Sequence, residues 1–349
     1  MRPEPTRIEP IFSPRIWGAR SLAPLFPEKT NLHEPLGEAW LTGVDCRVAN
    51  GPFTGKTLGA AWREMPSEWR GTHLASTENF PLLLKFIFPN DKLSIQVHPD
   101  DAYAAAHEQA AGGRGKTEMW HAVFAEPDAR VLIGLAPKAD KEKFLRAIET
   151  QTLEDLFIHW RVQPGDTFFV PAGTPHTIGP GMILCEVQEY SDLTYRVYDY
   201  GRRDARGKPR ELHIQKALGV IQFGRPIAGK ASQLRLPAQG FRKSLLAACR
   251  HFATERWKDF AAMETQSEPD HFDLLVVLEG SGSFTWGGSS APYHRGECWL
   301  IPAGLGKFTM HAKELTKMLR TYVPDLAALR TSLKQEGHSE QEISKTVFD

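Results

Sequence analysis

Hydrophobic and polar residues alternate with a period of two over much of this chain, in short runs closed by glycine or proline. In "KLSIQVHPDD" (92–101), Leu93, Ile95 and Val97 fall on one face of an extended segment. Gln96 and His98 fall on the other, because successive strand side chains point to opposite sides. The same texture recurs in "PLLLKFIF", "ARVLIGL", "DTFFVPAG", "MILCEVQ", "LTYRVYDY", "DLLVVLEGSGSFTW" and "ECWLIPAG". Many short strands with regular punctuation predict a mainly β sandwich or jelly roll. Two segments read as helical instead. Between Asp140 and Trp160, Phe144, Ile148, Leu153, Leu156 and Phe157 recur at spacings near three and four, predicting a small helical insertion around 140–160. A shorter helix is expected over Asp101–Gln109, capped by Asp100 and Asp101. From about Asp325 the sequence turns polar after its first leucines and is expected to fray.

An internal repeat organises these strands. Residues 164–176 read "PGDTFFVPAGTPH" and residues 295–307 read "RGECWLIPAGLGK". Both carry Gly, five residues, Pro, one residue, Gly, two residues and a final position, which is His176 in the first copy and Lys307 in the second. A repeated supersecondary unit predicts two related β domains, with "GRPIAGKASQLRLPAQG" (224–240) as linker or crossover. The expected division is 1–223 and 224–349, and a chain of 349 residues is long enough for both.

Composition narrows the function. Lys plus Arg and Asp plus Glu are both 42, so the balanced charge excludes the net basicity of nucleic-acid or polybasic membrane binders. The longest apolar runs are far shorter than a membrane span, and "MRPEPTRIEPIF" puts charges and prolines where a signal peptide needs an apolar stretch. Cys46, Cys185, Cys249 and Cys298 form no CxxC pair and read as reduced thiols of a cytoplasmic protein.

The chemistry gathers in the first half. Gln96 and His98 could hold one object between them, and His176 starts the strand after the Pro171–Gly173 turn. Glu118 lies in "GKTEMWHAV". Two imidazoles, a carboxylate and an amide suit zinc or another divalent first-row metal, leaving positions for water or substrate. A stretch with six basic residues, Arg196, Arg202, Arg203, Arg206, Lys208 and Arg210, offers a rim for a phosphosugar, with Arg202 the substrate-binding candidate. A solvated loop is the expectation for Arg203 and Arg206. His107, His121 and His159 read as surface or packing histidines, and Trp160, Trp257 and Trp286 as core aromatics.

These segments resemble the class I mannose-6-phosphate isomerases of the short bacterial type. The motifs that carry the resemblance run from "PIFSPRIWGARSL" and "EPLGEAWLTG" through "KLSIQVHPDDAYA", "GKTEMW" and "PAGTPHTIGPG" to "EVQEYSDLTYRVYDYGR", covering about the first 215 residues. The resemblance implies two cupin jelly rolls and one zinc ion per chain, held by Gln96, His98, Glu118 and His176. It assigns the catalytic arginine to Arg196, an active-site lysine to Lys116, a proton-transfer carboxylate to Glu186, and a serine near the substrate phosphate to Ser94. Pro175 before the histidine and "CEVQEY" beside Glu186 depart from the family pattern. With Lys307 in place of the ligand histidine, the second cupin is expected to be metal-free and structural.

The activity this implies is interconversion of mannose 6-phosphate and fructose 6-phosphate through a cis-enediol(ate). Either Glu186 or Lys116 could move the proton, and Arg196 could stabilise the oxyanion or grip phosphate. Two alternatives differ in kind: an isomerase or epimerase of a related sugar, and a metal-binding cupin acting as a sugar sensor without turnover. Retention of Lys116, Glu186 and Arg196 beside the ligand set speaks against the sensor. The expected partner is a small sugar phosphate, with neither nucleic acid nor membrane, and the chain acting as a monomer or homodimer.

Overall fold

The computed structural model describes residues 2–203, 207–224 and 229–349. Arg206 lies outside them. Among the described residues the strands form four sheets, of six, five, seven and four strands. The six-stranded sheet runs Ile11–Ala19, Leu36–Trp40, Leu82–Ile87, Met182–Glu189, Glu118–Ala125, Thr167–Val170 in spatial order. One of its faces meets the five-stranded sheet (Tyr195–Tyr198, Ile95–Val97, His176–Ile178, Arg130–Leu135, Phe157–Arg161) across a core of Trp17, Ile87, Trp120, Phe168, Leu184, Val131 and Ile178. Its other face packs on the seven-stranded sheet, where Leu84, Phe86, Met119 and Val187 meet Leu246, Leu274, Val276 and Leu319. The four-stranded sheet closes the stack over Trp257, Leu275, Trp299 and Met318. The fold is therefore mainly β, with two jelly rolls back to back.

The repeat has a backbone cause. Gly165 and Gly296 have φ of +89° and +86°, and Gly173 and Gly304 have +80° and +74°. Each pair brackets a short strand, Thr167–Val170 or Cys298–Ile301. Left-handed turns at both ends of a strand call for glycine at those two positions.

Three local expectations differ from the structure. The helix of the 140–160 insertion spans only Lys141–Glu149, followed by a 3₁₀ turn at Leu153–Leu156 and a strand at Phe157–Arg161. Gln151, with φ of +59°, stops the helix, and the later apolar residues keep a helical spacing only by coincidence with the strand's own burial on the outer core. Leu93 does not share a face with Ile95 and Val97, because the strand is only Ile95–Val97 and Leu93 turns into the inner core. The C-terminal stretch is ordered: helices cover Leu326–Gln335 and Glu340–Ile343, and Phe348 stacks on Phe169 with ring centroids 4.1 Å apart. Two ordered caps, Asp325 and the Ser339–Glu342 capping box, hold polar helices that propensity alone would leave marginal. Asp100 caps Asp101–His107 as expected, accepting from the Tyr103 amide at 2.8 Å. No described helix is long and apolar enough to cross a membrane.

The first strand, Thr6–Ile8, pairs with Cys298–Ile301 and so becomes the edge of the seven-stranded sheet. The N-terminal segment thereby ties one jelly roll to the other.

Candidate active site

The site forms where the five- and six-stranded sheets face each other. Ile95 and Val97 point outward into the core under the helices, so alternation sends Gln96 inward. Gln96 lies opposite His176 on one neighbouring strand and opposite Arg196 on the other, giving an inward row across three strands. On the facing sheet, Lys85, Glu186, Trp120 and Phe168 are successive register partners, with Glu118 two residues before Trp120 on the same face.

His98, Glu118 and His176 converge, each buried, with ligand atoms all within 4.8 Å of one another. His176 Nε2 is 3.3 Å and His98 Nε2 3.9 Å from Glu118 Oε1. Both rings are oriented by their other nitrogen: His98 Nδ1 donates to the Leu193 carbonyl at 2.8 Å, and His176 Nδ1 to that of Thr174 at 2.9 Å. That tautomer leaves both Nε2 lone pairs facing the carboxylate. The Gln96 amide lies 3.3 Å from His176 Nε2. Burial, reinforced by the Lys116 ammonium, pushes the His98 ring well below its ordinary value. Burial likewise lowers His176 to about 4, against the pull of the Thr174 carbonyl. Both rings are therefore neutral at physiological pH. His98 Nε2 and Glu118 Oε1 are buried without a hydrogen-bond partner, which is costly unless something fills the gap between them. Neutral imidazoles, an unsatisfied carboxylate oxygen and a nearby amide fit a divalent metal.

Around this set lies a dense charge network. Lys116 Nζ is 2.8 Å from Glu118 Oε2, and Lys85 Nζ is 2.9 Å from Asp192 and 3.8 Å from Glu186. Burial opposes both ammonium charges, yet the carboxylates around them win and hold both lysines above their ordinary value. Burial raises the Glu186 carboxyl, which accepts from Trp120 Nε1 at 3.1 Å. Arg196 is lowered by burial and then by Arg210, and its Nε is buried without a partner.

An open cavity of about 470 Å³ reaches this network and is lined by Gln96, Ser94, Lys116, Glu186 and Arg196. Thus the structure brings together Gln96, His98, Glu118, His176, Lys116, Glu186, Arg196 and Ser94. It does not bring Arg202 in. That guanidinium is held by Asp199 at 2.7 Å and Asp91 at 3.2 Å, while Arg210, also paired to Asp199, lines the cavity instead. Lys85, Asp192, Arg15 and Glu38 line it too and were missed by sequence reasoning. For Lys85 a signal existed: it is the single charge in the apolar run "FPLLLKFIF", and a buried lysine needs partners. Arg15 and Glu38 gave none, because an isolated charge in a strand-like run usually faces water. His121 is a packing histidine bonded to Thr167 Oγ1 at 3.0 Å, and all four cysteines are buried free thiols.

Such an interior is that of a cupin-type enzyme, not of a jelly roll packed only for stability. The pattern described as the phosphomannose isomerase type I catalytic domain matches residues 6–124. The mannose-6-phosphate isomerase ManA of Bacillus subtilis (strain 168) is 35% identical over 318 residues, covering 89% of this chain and 96% of that protein. The crystal structure of the mannose 6-phosphate isomerase from Bacillus subtilis aligns with a TM-score of 0.83 at 30% identity, over 91% of this chain and 99% of that one. A mannose 6-phosphate isomerase bound with zinc and yttrium shares the fold, at a TM-score of 0.69 and 16% identity over 91% of this chain and 99% of that one. The chain belongs to the type I phosphomannose isomerases.

Proposed function

We propose that this protein is a zinc-dependent aldose–ketose isomerase that interconverts mannose 6-phosphate and fructose 6-phosphate through a cis-enediol(ate). The observation that carries the reading is the pair of unsatisfied buried atoms, His98 Nε2 and Glu118 Oε1, beside His176 Nε2 at the end of a cationic cavity. One zinc ion would be held by His98, Glu118, His176 and the carbonyl oxygen of Gln96, a donor set suited to it. Bound there, it would polarise the sugar carbonyl and offset charge on the enediolate oxygens.

The chain's own groups do the rest. In the open-chain aldose the C2 proton passes to a base and its electron pair forms the C1–C2 double bond. A proton then returns to C1 while the C2 hydroxyl passes its own to the C1 oxygen, which took up the π pair of the former carbonyl, leaving the ketose with no net change in composition. Glu186 and Lys116 are the groups placed to carry these protons, with Lys85 against Glu186. Arg196, in register with Gln96, stabilises the negative enediolate oxygens. Ser94 faces the same cavity as a substrate contact. Arg202 acts at one remove, holding Asp199 and with it Arg210.

The division into 1–223 and 224–349 belongs to this reading, the second unit being a metal-free jelly roll. It is supported by register. Glu118 pairs with Val170 in the first copy, and Asp273 pairs with Ile301 at the same place in the second. Gln266 pairs with Lys307 where Gln96 pairs with His176. Lys307 is exposed and Asp273 is bound by Arg320 at 2.8 Å, so the second set has neither the histidines nor a free carboxylate.

The test is coupled detection of fructose 6-phosphate formed from mannose 6-phosphate by metal-replete protein, chelator-treated protein and His98→Ala. Turnover should vanish with chelator, return with zinc and be absent from the variant. Folded, replete protein without turnover would transfer the assignment to another sugar phosphate.

A further inference from the structure

The cations of the cavity differ in how carboxylates hold them, Arg210 by two oxygens of one carboxylate and Arg15 by a single oxygen. Lys116 is spent on Glu118, Lys85 on Asp192 and Glu186, and Arg210 on both oxygens of Asp199. Arg196 sits in register with Gln96, at the buried end where the reacting carbons belong. A 6-phosphate, four carbons beyond C2, needs a cation further out.

Arg15 is that cation. It enters from Ile11–Ala19, the edge strand of the sheet that also carries Glu118, and its side chain is 33% exposed. One nitrogen, Nη2, meets Glu38 Oε2 at 2.6 Å and Nη1 reaches the Pro14 carbonyl at 3.2 Å, which leaves N–H groups of the fork unspent. Its placement is built: a Cβ on Gly37 would lie 2.5 Å from Arg15 Cβ and 2.7 Å from Cγ, so only glycine lets the stem cross the neighbouring strand toward the cavity. Glu38 is itself fixed by Trp40 Nε1 at 2.8 Å, so it holds the guanidinium from one side.

We propose that Arg15 is the specificity-determining residue that receives the phosphate of the sugar phosphate, with Ser94 lining the same cavity. The assignment rests on the isomerase reading for the sugar, but its chemistry requires only an anion of phosphate type. A planar guanidinium binds two phosphate oxygens at once, a geometry lysine does not reproduce.

The experiment compares wild type, Arg15→Gln and Arg15→Lys as zinc-loaded full-length protein. Arg15→Gln should raise KM for mannose 6-phosphate tenfold or more with kcat within threefold of wild type. Inhibition by inorganic phosphate should weaken by a similar factor, and Arg15→Lys should recover part of both. An unchanged KM, or a kcat loss with phosphate inhibition intact, overturns the assignment. Calorimetric titration with inorganic phosphate separates this from the isomerase reading. Binding to wild type that is weakened in Arg15→Gln sustains the anion site even if mannose 6-phosphate is not turned over, and equal binding to both proteins overturns it.

Discussion

At the scale of single residues, the site is governed by buried charges that hold one another in place. Glu118 is fully buried, and it pairs with Lys116, itself 4% exposed. Breaking such a pair by removing one partner costs about 3–5 kcal/mol, because the remaining charge is left uncompensated in a medium of low polarity. A metal at the His98–Glu118–His176 cluster would meet the same carboxylate from its other side. Lys116→Met is therefore expected to destabilise the chelated protein by about that amount and the zinc-saturated protein by clearly less. Urea unfolding with chelator and with saturating zinc measures both, and an equal loss in the two conditions would count against the metal assignment. The same variant should lose most of its isomerase activity.

Among the elements, what was legible depended on whether a local rule sufficed. The Gln96–His98 alternation and the repeated Gly-x5-Pro-x-Gly frame are local, since strand pleat and left-handed turns act within a few residues. The strand at Phe157–Arg161 was hidden, because burial against helices gave it a spacing that mimics a helix. Arg15 was hidden because its role depends on Gly37 of the next strand, a contact that sequence order does not display. The two turn glycines yield a matched prediction. A Cβ at Gly173 meets the Val220 carbonyl oxygen at 2.8 Å, whereas at Gly304 the nearest atom is 3.7 Å away. Both positions have positive φ, which costs an L-residue about 1–2 kcal/mol. Gly304→Ala should lose about that much. Gly173→Ala should lose more and also weaken zinc binding, since Gly173 leads the turn into His176. Urea unfolding ranks the two, and zinc titration should respond only to Gly173→Ala.

For the whole molecule, the two jelly rolls share one plan with their charges exchanged. Spatial order in the six-stranded sheet is repeated by Leu234–Leu236, Arg242–Ala248, Ala253–Lys258, Lys317–Tyr322, Asp273–Glu279, Cys298–Ile301 in the seven-stranded sheet. Where Lys85 faces Glu186 in the first, Glu255 faces Arg320 in the second. Neutralised within its own barrel, the second unit reaches the first through another contact. His251 Nδ1 lies 3.3 Å from Glu189 Oε2, and Glu189 Oε1 accepts from the Thr117 amide at 2.5 Å, between Lys116 and Glu118. Arg250 bonds His251 and reaches Asp101, whose carboxylate crowds Glu189. Burial first, and then Asp101, push the Glu189 carboxyl up to about 7 against the pull of the Thr117 amide. The folded protein thus keeps a proton between the ordinary value of 4.5 and about 7 that the unfolded chain has already lost. This contribution to stability is full below 4.5 and is lost as pH rises through about 7. The His251 ring, lowered by burial, acts in the opposite sense, losing stability as pH falls through its ordinary value of 6.5. Glu189→Gln keeps the acceptor for Thr117 and removes the carboxyl titration. The variant should therefore gain on wild type between pH 5 and pH 8, by at most about 3 kcal/mol. Urea unfolding at both pH values reads the gap directly. A gap that does not change with pH would mean that Glu189 carries no proton in the folded protein and that the two jelly rolls meet there without a titrating contact.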